Sequence, residues 1–560
     1  GAGFSRVTIG NLGTTTEPRS NVTIDAGENN TAGLASALNI NAADLNLASG
    51  TLSVGDDNTS LNLILDVARD LRATGTRTDG AALDVSGDLA IRYRATGAGA
   101  AEPTANHLSF ARAIEANTIR FEQVGDGSLT LGAPEGTKVA GQASMTVADF
   151  ENLVAADRLS IDGSAANPTL AAASPVLTVA GDITTGSNLA LNFNAIAFDQ
   201  SLTLADGKTL SLTSAANAGA NQISQATDSA ITASSLLLAG AGDIALVGQN
   251  VIETADAQTT GTLASSATGA LELVLKGGDL SINVIDGVQG ITEASSVAIR
   301  GASKLIIDEA VSATGDITLA AGNGLAAGAE ASDGITIAPN KSIRSTNGDV
   351  VLDAGMAGNF VNLAGSDAVQ AEQGRWQVWS YGWLPAAGSA LSTTYSQFGN
   401  ATDGVLASGN QARFEADWSA GREGVTGLAS SGNQYIFAST VPALVGAVLN
   451  IDLAKLTLDA GAGAVAVEYG EGAVNQQFLA STATVTSVAE LKQVELRDAA
   501  DNTLNGVAFT ATLPATDDVQ ALALANLFDA LKVSWQGQST LVDAGQSREA
   551  ILEGASVNNV

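Results

Sequence analysis

A three-residue step, glycine then aspartate then an aliphatic residue, recurs along this chain and limits what it can fold into. It stands at Gly87-Asp88-Leu89, Gly181-Asp182-Ile183, Gly242-Asp243-Ile244, Gly278-Asp279-Leu280, Gly315-Asp316-Ile317 and Gly348-Asp349-Val350. The last four begin at 242, 278, 315 and 348, spaced 36, 37 and 33 residues apart. Around them "LTVAGDI" (177–183), "SLLLAGAGDIALVG" (235–248) and "GDITLAAGNG" (315–324) alternate apolar residues with Thr, Ser, Asn or Asp. Alternation with a period of two marks half-buried strands. A repeat built from such strands implies stacked coils. Each glycine then opens a corner, each aspartate caps the turn backbone, and the aliphatic residue restarts an inward-facing strand. "LTLADGKTLSL" (202–212) on its own reads as a hairpin around Asp206-Gly207; the wider repeat argues for coils instead.

Small and aliphatic fillers decide between two all-β architectures. Immunoglobulin-like sandwiches use bulkier core aromatics, which are scarce in the first 370 residues, whereas a narrow coil needs Val, Leu, Ile and Ala inside. The sequence therefore predicts an all-β protein. A right-handed parallel β-helix occupies 1–370, with coils of roughly 20 residues. A short helical insertion falls near 145–156, where Thr146 and Asp149 have the spacing of a capping box. An aromatic cap spans 371–441. A small C-terminal β-rich domain spans 442–560 and carries one helix near 516–532, with Thr516 as N-cap and Val519, Leu522, Leu527 and Leu531 at helical spacing.

Charge and residue inventory remove several function classes. Fifty-eight acidic against 25 basic residues give a net charge of -33, a field that repels phosphate backbones, so nucleic acid is excluded as a partner. There is no cysteine, and His107 is the single histidine, so neither a Cys/His metal cluster nor thiol catalysis is available. No phosphate-cradling glycine loop is present, no apolar run reaches the length of a membrane span, and no cofactor is identified. The chain starts at Gly1 without Met and reads as a piece of something longer. Asp56-Asp57, Asp286, Asp308-Glu309 and Asp517-Asp518 keep Ca2+ at acidic turns open, and glycosidase chemistry with it. Arg69, Arg72, Arg77, Arg92 and Arg94 form the one local basic group, either strand decoration or a site for an acidic sugar.

Tryptophan is absent until "GRWQVWSYGW" (374–383), which brings Trp376, Trp379, Tyr381 and Trp383 together. With Trp418, Tyr435 and Phe437 these residues have two readings. They cover the apolar end of the coils and its open strand edge, or they stack on sugar rings. At the other end, Phe4, Arg6, Val7, Thr8 and Ile9 in "GAGFSRVTIG" form a candidate edge strand for joining subunits head to tail.

"GRWQVWS" resembles the GRW-x-V-Y-S block near the end of β-helical regions in filamentous-haemagglutinin-like exoproteins, with Trp379 where the family has Tyr. "SGNQYIFAST" (431–440) is similar to the GN-x-Y-x-F-A block that follows in them, and Tyr469-Gly470 matches the Tyr-Gly pair of a small β-domain after it. The resemblance implies a passenger of bacterial two-partner secretion, located outside the cell or on its surface. It implies a non-enzymatic adhesin that presents a rigid β-helical rod and meets glycans or cell-surface receptors; the edge strand in "GAGFSRVTIG" adds the variant of a subunit in an extracellular filament or surface layer. The alternative is a glycan-binding or glycan-cleaving β-helical protein of the polysaccharide lyase or hydrolase type.

Overall fold

The structure is a computed structural model. It describes residues 7–10, most of 21–381, residues 411–438 except Phe414, and strand segments between 456 and 541. The chain divides into two compact units, Gly1–Gly324 with Ser345–Asn347, and Leu325–Arg344 with Gly348–Val560.

In the first unit short strands stack in parallel on successive faces of a coil. One face carries Leu177, Ile196, Ile223, Ile244, Leu271, Val297 and Ile317 directly over one another. A second carries Leu189, Leu210, Leu236 and Leu263, and a third carries Ile183, Leu202 and Ile231. All of these side chains are buried. Burying an aliphatic side chain of this size stabilises by about 1.5–3 kcal/mol, so aligned columns of Leu and Ile are the main source of stability. This is a parallel β-helix. Its ladder of hydrogen bonds has the even pattern of parallel strands. Leu202–Leu204 and Thr209–Ser214 each pair with the preceding and the following coil and not with each other, so the apparent hairpin is two faces of one coil.

The columns also give the true repeat. From 177 to 196, 223, 244, 271, 297 and 317 the steps are 19 to 27 residues, shorter than the 33–37 spacing of the Gly-Asp step. The step recurs on different faces of the coil, with Ile183, Ile244 and Leu280 on three of them, and it skips coils. Its role differs from the one expected of it. Asp243 Oδ1 accepts the backbone N–H of Ala270 at 2.8 Å, and Asp182 Oδ1 accepts that of Ser201 at 2.9 Å. Asp44 does the same for Asp70, Asp70 for His107, Asn62 for Asp88, Asn188 for Thr209 and, in the second unit, Asp349 for Arg375, all at 2.9–3.2 Å. In each case acceptor and donor sit one residue before a pair of stacked inward residues, such as Ile244 and Leu271. At Asp182, Asp243 and Asp349 the aspartate of the step reaches forward and clamps the next coil, while Asp88 accepts the Thr118 hydroxyl.

The glycine serves the same joint. A Cβ at Gly87 would lie 2.5 Å from Asn62 Oδ1, the atom that receives the Asp88 amide. A Cβ at Gly374 would lie 2.3 Å from Gly348 O and 2.6 Å from Asp349 Oδ1. Neither glycine has a positive φ. They are needed for close approach between coils, not for turning the chain.

The expected helix is present at Val147–Glu151, and its capping box is formed: Asp149 N–H donates to Thr146 Oγ1 and Thr146 N–H donates to Asp149 Oδ2. Asp149 Oδ1 also accepts Phe110 N–H at 2.6 Å, and Phe150 is fully buried, so this helix contributes to the core as one corner of a coil. Three of the bulkiest core residues of the first unit are neighbours, Phe121 lying 6.4 Å from both Tyr93 and Phe110.

In the second unit Ser332–Ile337 pairs in parallel with Gly358–Asn362, and Val350–Asp353 with Trp376–Ser380. The boundary expected at 370/371 thus falls inside this unit. Further along, Gln476–Phe478, Ala464–Tyr469, Leu491–Arg497, Lys532–Trp535 and Gln538–Leu541 form a five-stranded sheet in that order, antiparallel except for the pairing of 491–497 with 532–535. A parallel pairing requires a crossover. The helix expected near 516–532 lies in that interval and outside the described residues, apart from Lys532, which begins a strand.

Candidate functional site

The two sequence blocks that carry the family resemblance are neighbours in space. Trp376–Ser380 and Gln434–Phe437 run parallel with Gln377 opposite Gln434, Val378 opposite Tyr435, Trp379 opposite Ile436 and Ser380 opposite Phe437. Gln411–Arg413 then pairs with the far side of Gln434–Phe437, placing Arg413 level with Ile436. The later strand is therefore inserted between two earlier ones.

Alternation assigns the side chains. Val350 and Leu352 point into the coil, and Trp376 and Val378 stack on them; Val351 and Asp353 point outward, under Gln377 and Trp379. Inside, Trp376 packs edge-on against Tyr435 at 4.8 Å, and Tyr435 stacks with Phe437 at 5.9 Å. Outside, Trp379 meets Trp418 edge-on at 5.3 Å, in a cluster with Ala416 and Ile436. Val425 and Leu428 rest on that cluster. Both faces of Trp376–Ser380 are consequently buried, unlike an ordinary coil strand whose outer face meets water.

An irregular segment, 415–430, makes this cover. Trp418 Nε1–H donates to Asp353 Oδ1 at 3.2 Å, Arg375 donates to Ala429 O at 2.6 Å, and Ala429 N–H donates to Gln434 Oε1 at 3.1 Å. Arg422 Nε faces Asp353 Oδ2 at 3.7 Å. Burial pushes the Asp353 carboxyl above the ordinary carboxylate range, against the pull of the Gly355 N–H, Arg422 and Trp418. Burial likewise holds the Tyr435 hydroxyl well above its usual value.

Of the aromatic residues singled out from sequence, Trp376, Trp379, Trp418, Tyr435 and Phe437 come together here, and all five are buried. Their ring faces meet other side chains and not solvent. Tyr381 is half-buried and its N–H donates to Gly358 O; Trp383 lies outside the described residues. Asp353, Met356, Arg413 and Arg422 carry no sequence signal; only the fold brings them to the cluster.

Early in the sequence, Val7–Gly10 forms a strand parallel to Leu38–Ala42, with Thr8 opposite Asn39, while Phe4 and Arg6 lie outside the described residues. Arg69, Arg72 and Arg92 pair with Asp44, Asp70 and Glu122. Arg77 is outside the described residues, and Arg94 ends the strand Leu83–Arg94. Asp286 sits at the tip of a small hairpin, Val284–Ile285 with Val288–Gln289, and pairs with Arg158. Asp308 accepts from the Ser281 hydroxyl. Asp56-Asp57 and Asp517-Asp518 are outside the described residues. Among the described residues no three His, Asp or Glu side chains converge to hold a metal ion, and no helix is long and apolar enough to cross a membrane. His107 Nδ1 stands 3.4 Å from Ser144 Oγ.

The stacked columns and covered strand define the class as a parallel β-helix protein. Comparisons with protein-family models, with curated proteins and with solved structures found no match.

Proposed function

We propose that this chain is a secreted, non-enzymatic surface protein of the filamentous-haemagglutinin-like kind, which presents a β-helical body for attachment outside the cell. The observation that supports this most directly is the register pairing of the two resembling blocks, whose partners such as Gln377 and Gln434 are 57 residues apart in sequence, as adjacent strands whose aromatic side chains are buried on both faces. Such an arrangement ends the open apolar face of a coil without a catalytic group. Partners are a second copy of the chain and glycans or receptors on other cells. As a filament subunit it would use the strand Val7–Gly10, which among the described residues pairs on one side, with Leu38–Ala42.

Negative-stain electron microscopy of the purified chain, with calcium and then with chelator, tests this reading. Filaments with a regular axial repeat support a polymer-forming subunit, and their loss in chelator would place a metal at the joint. Isolated particles that bind cells or glycan arrays support an adhesin. Cleavage of an acidic polysaccharide by the purified protein overturns both. If Arg6→Glu and Thr8→Pro leave filament length unchanged, the contact at Val7–Gly10 is wrong.

A further inference from the structure

Four buried side-chain nitrogens in the covered region have no hydrogen-bond partner, and all four are donors: Gln377 Nε2, Trp379 Nε1, Arg413 Nε and Arg422 Nη1. Only two other described buried side-chain polar atoms, Arg112 Nε and Ser214 Oγ, share that state, and both belong to the first unit. The concentration is therefore local to this one patch.

The fold places these donors together. Gln377 and Trp379 point outward from the same strand, and Arg413 stands level with Trp379 across Ile436. Val425 and Leu428 of the cover lie on the Trp379–Ile436 cluster, and between them a Cβ at Gly427 would stand 3.7 Å from Arg413 Nε. Arg422 belongs to the same cover, with its Nε toward Asp353 and its Nη1 unpartnered. Of the acidic groups at this patch, Asp353 already serves Trp418 and Gly355, and Glu415, Asp417 and Glu423 of the cover are exposed.

A buried donor without an acceptor costs about 1–3 kcal/mol, and more when charged. Two guanidinium groups, an indole N–H and an amide N–H offer no acceptor between them. Their complement is a group that only accepts. The planar guanidinium fork matches an oxyanion in shape as well as charge, and a covered site of low dielectric strengthens each such bond. We propose that the patch beneath residues 415–430 is a binding site for an oxyanion, a carboxylate or sulfate group, held by Arg413, Arg422 and the Trp379 indole N–H. The group is either a free ion or one carried on an acidic polysaccharide. The site does not depend on whether the chain is an adhesin.

The test compares the full chain with Arg413→Gln and with Arg422→Gln, each by thermal unfolding and by titration calorimetry. The probes are sodium sulfate, sodium acetate and a tetragalacturonate, with sodium chloride at matched ionic strength as the baseline. Ligands that bind only the folded state raise Tm as they saturate. The expected result is a saturable rise for the unmodified chain over chloride. Affinity should fall about tenfold or more in each variant, as the loss of one charge-assisted hydrogen bond requires. In chloride alone Arg413→Gln should unfold no earlier than the unmodified chain, since it removes a buried unpaired donor; a lost response is then not misfolding. A tetragalacturonate response well beyond that of acetate at equal carboxylate identifies a polymer-borne group, and equal responses identify a free ion. Equal anion responses in the unmodified chain and both variants, or no saturable response at all, overturn the proposal.

Discussion

Asp243 Oδ1 and the backbone N–H of Ala270 are 2.8 Å apart, although 27 residues separate them in the chain. The bond ties one coil to the next at the point where each begins an inward strand, and Asn62 and Asn188 perform the same task with a neutral oxygen. The clamp therefore needs a short side chain with an acceptor, not a charge. Asp243→Asn should unfold within about 0.5 kcal/mol of the unmodified chain, and Asp243→Ala should lose about 1–2 kcal/mol because the Ala270 amide is left unpaired. Hydrogen exchange at Ala270 is the local readout. It should accelerate in the alanine variant and stay near its original rate in the asparagine variant.

The partner of the clamp is a glycine, and Gly374 gives the sharper case. A methyl group there meets Gly348 O at 2.3 Å and the clamping Asp349 Oδ1 at 2.6 Å, both held by the neighbouring coil. Gly374→Ala must push the two coils apart and break the Arg375 N–H bond. A loss of about 1–3 kcal/mol is expected, as for overpacking elsewhere. Gly186→Ala, where a Cβ has open space around it, is the control and should cost little. Equal losses at the two positions would refute the close-approach argument.

Much of this could be read from the residues alone. Alternation in segments such as "LTVAGDI" identifies strands, and the aliphatic columns at Ile183, Leu202 and Ile231 follow from it. The coil length could not be read, because the Gly-Asp step occupies only some coils. On the face where Asp243 and Asp316 start strands, the two intervening positions are Ala270 and Ser296, which lack it. The aromatic blocks were legible as a unit from composition. The cover was not: Asp353, Trp418 and Arg422 meet through tertiary contacts over more than 60 residues, and residues 415–430 have neither helical nor strand periodicity.

Tyr93 and Tyr435 should ionise late. Both are buried; Tyr93 also donates to Gln123 Oε1 and faces the negative charge of Asp162, while burial alone acts on Tyr435. In each the folded state favours the protonated hydroxyl, so the stabilisation is complete below the ordinary tyrosine value of 10.0 and is lost as pH rises above it. Ultraviolet titration should show these two tyrosines ionising only together with alkaline unfolding. Tyr93→Phe and Tyr435→Phe should remove amplitude from that late step and leave earlier titration unchanged. Loss of early amplitude instead would mean the hydroxyl is accessible in the folded state.

Asp353 makes the cover sensitive to acid in an unusual direction. Its carboxyl is pushed above the ordinary value of 3.8 mainly by burial, so the folded state holds a proton more tightly than the unfolded chain does. Its contribution to stability is therefore fully present below 3.8 and is lost as pH rises through the elevated value. Lowering the pH from neutral should tighten residues 415–430 over Trp379, measured as slower hydrogen exchange after correction for the intrinsic rate. Falling net charge also favours compaction on acidification, while exposed Asp417, whose carboxyl Ser419 holds below the usual range, acts in the opposite sense. Asp353→Asn separates these effects. It keeps an acceptor for Trp418 Nε1–H and the Gly355 N–H but cannot titrate. The difference in protection between the two proteins should shrink as pH falls toward 3.8, and Asp353→Asn should show the weaker pH dependence. Parallel pH profiles for the two would place the acid response elsewhere on the chain.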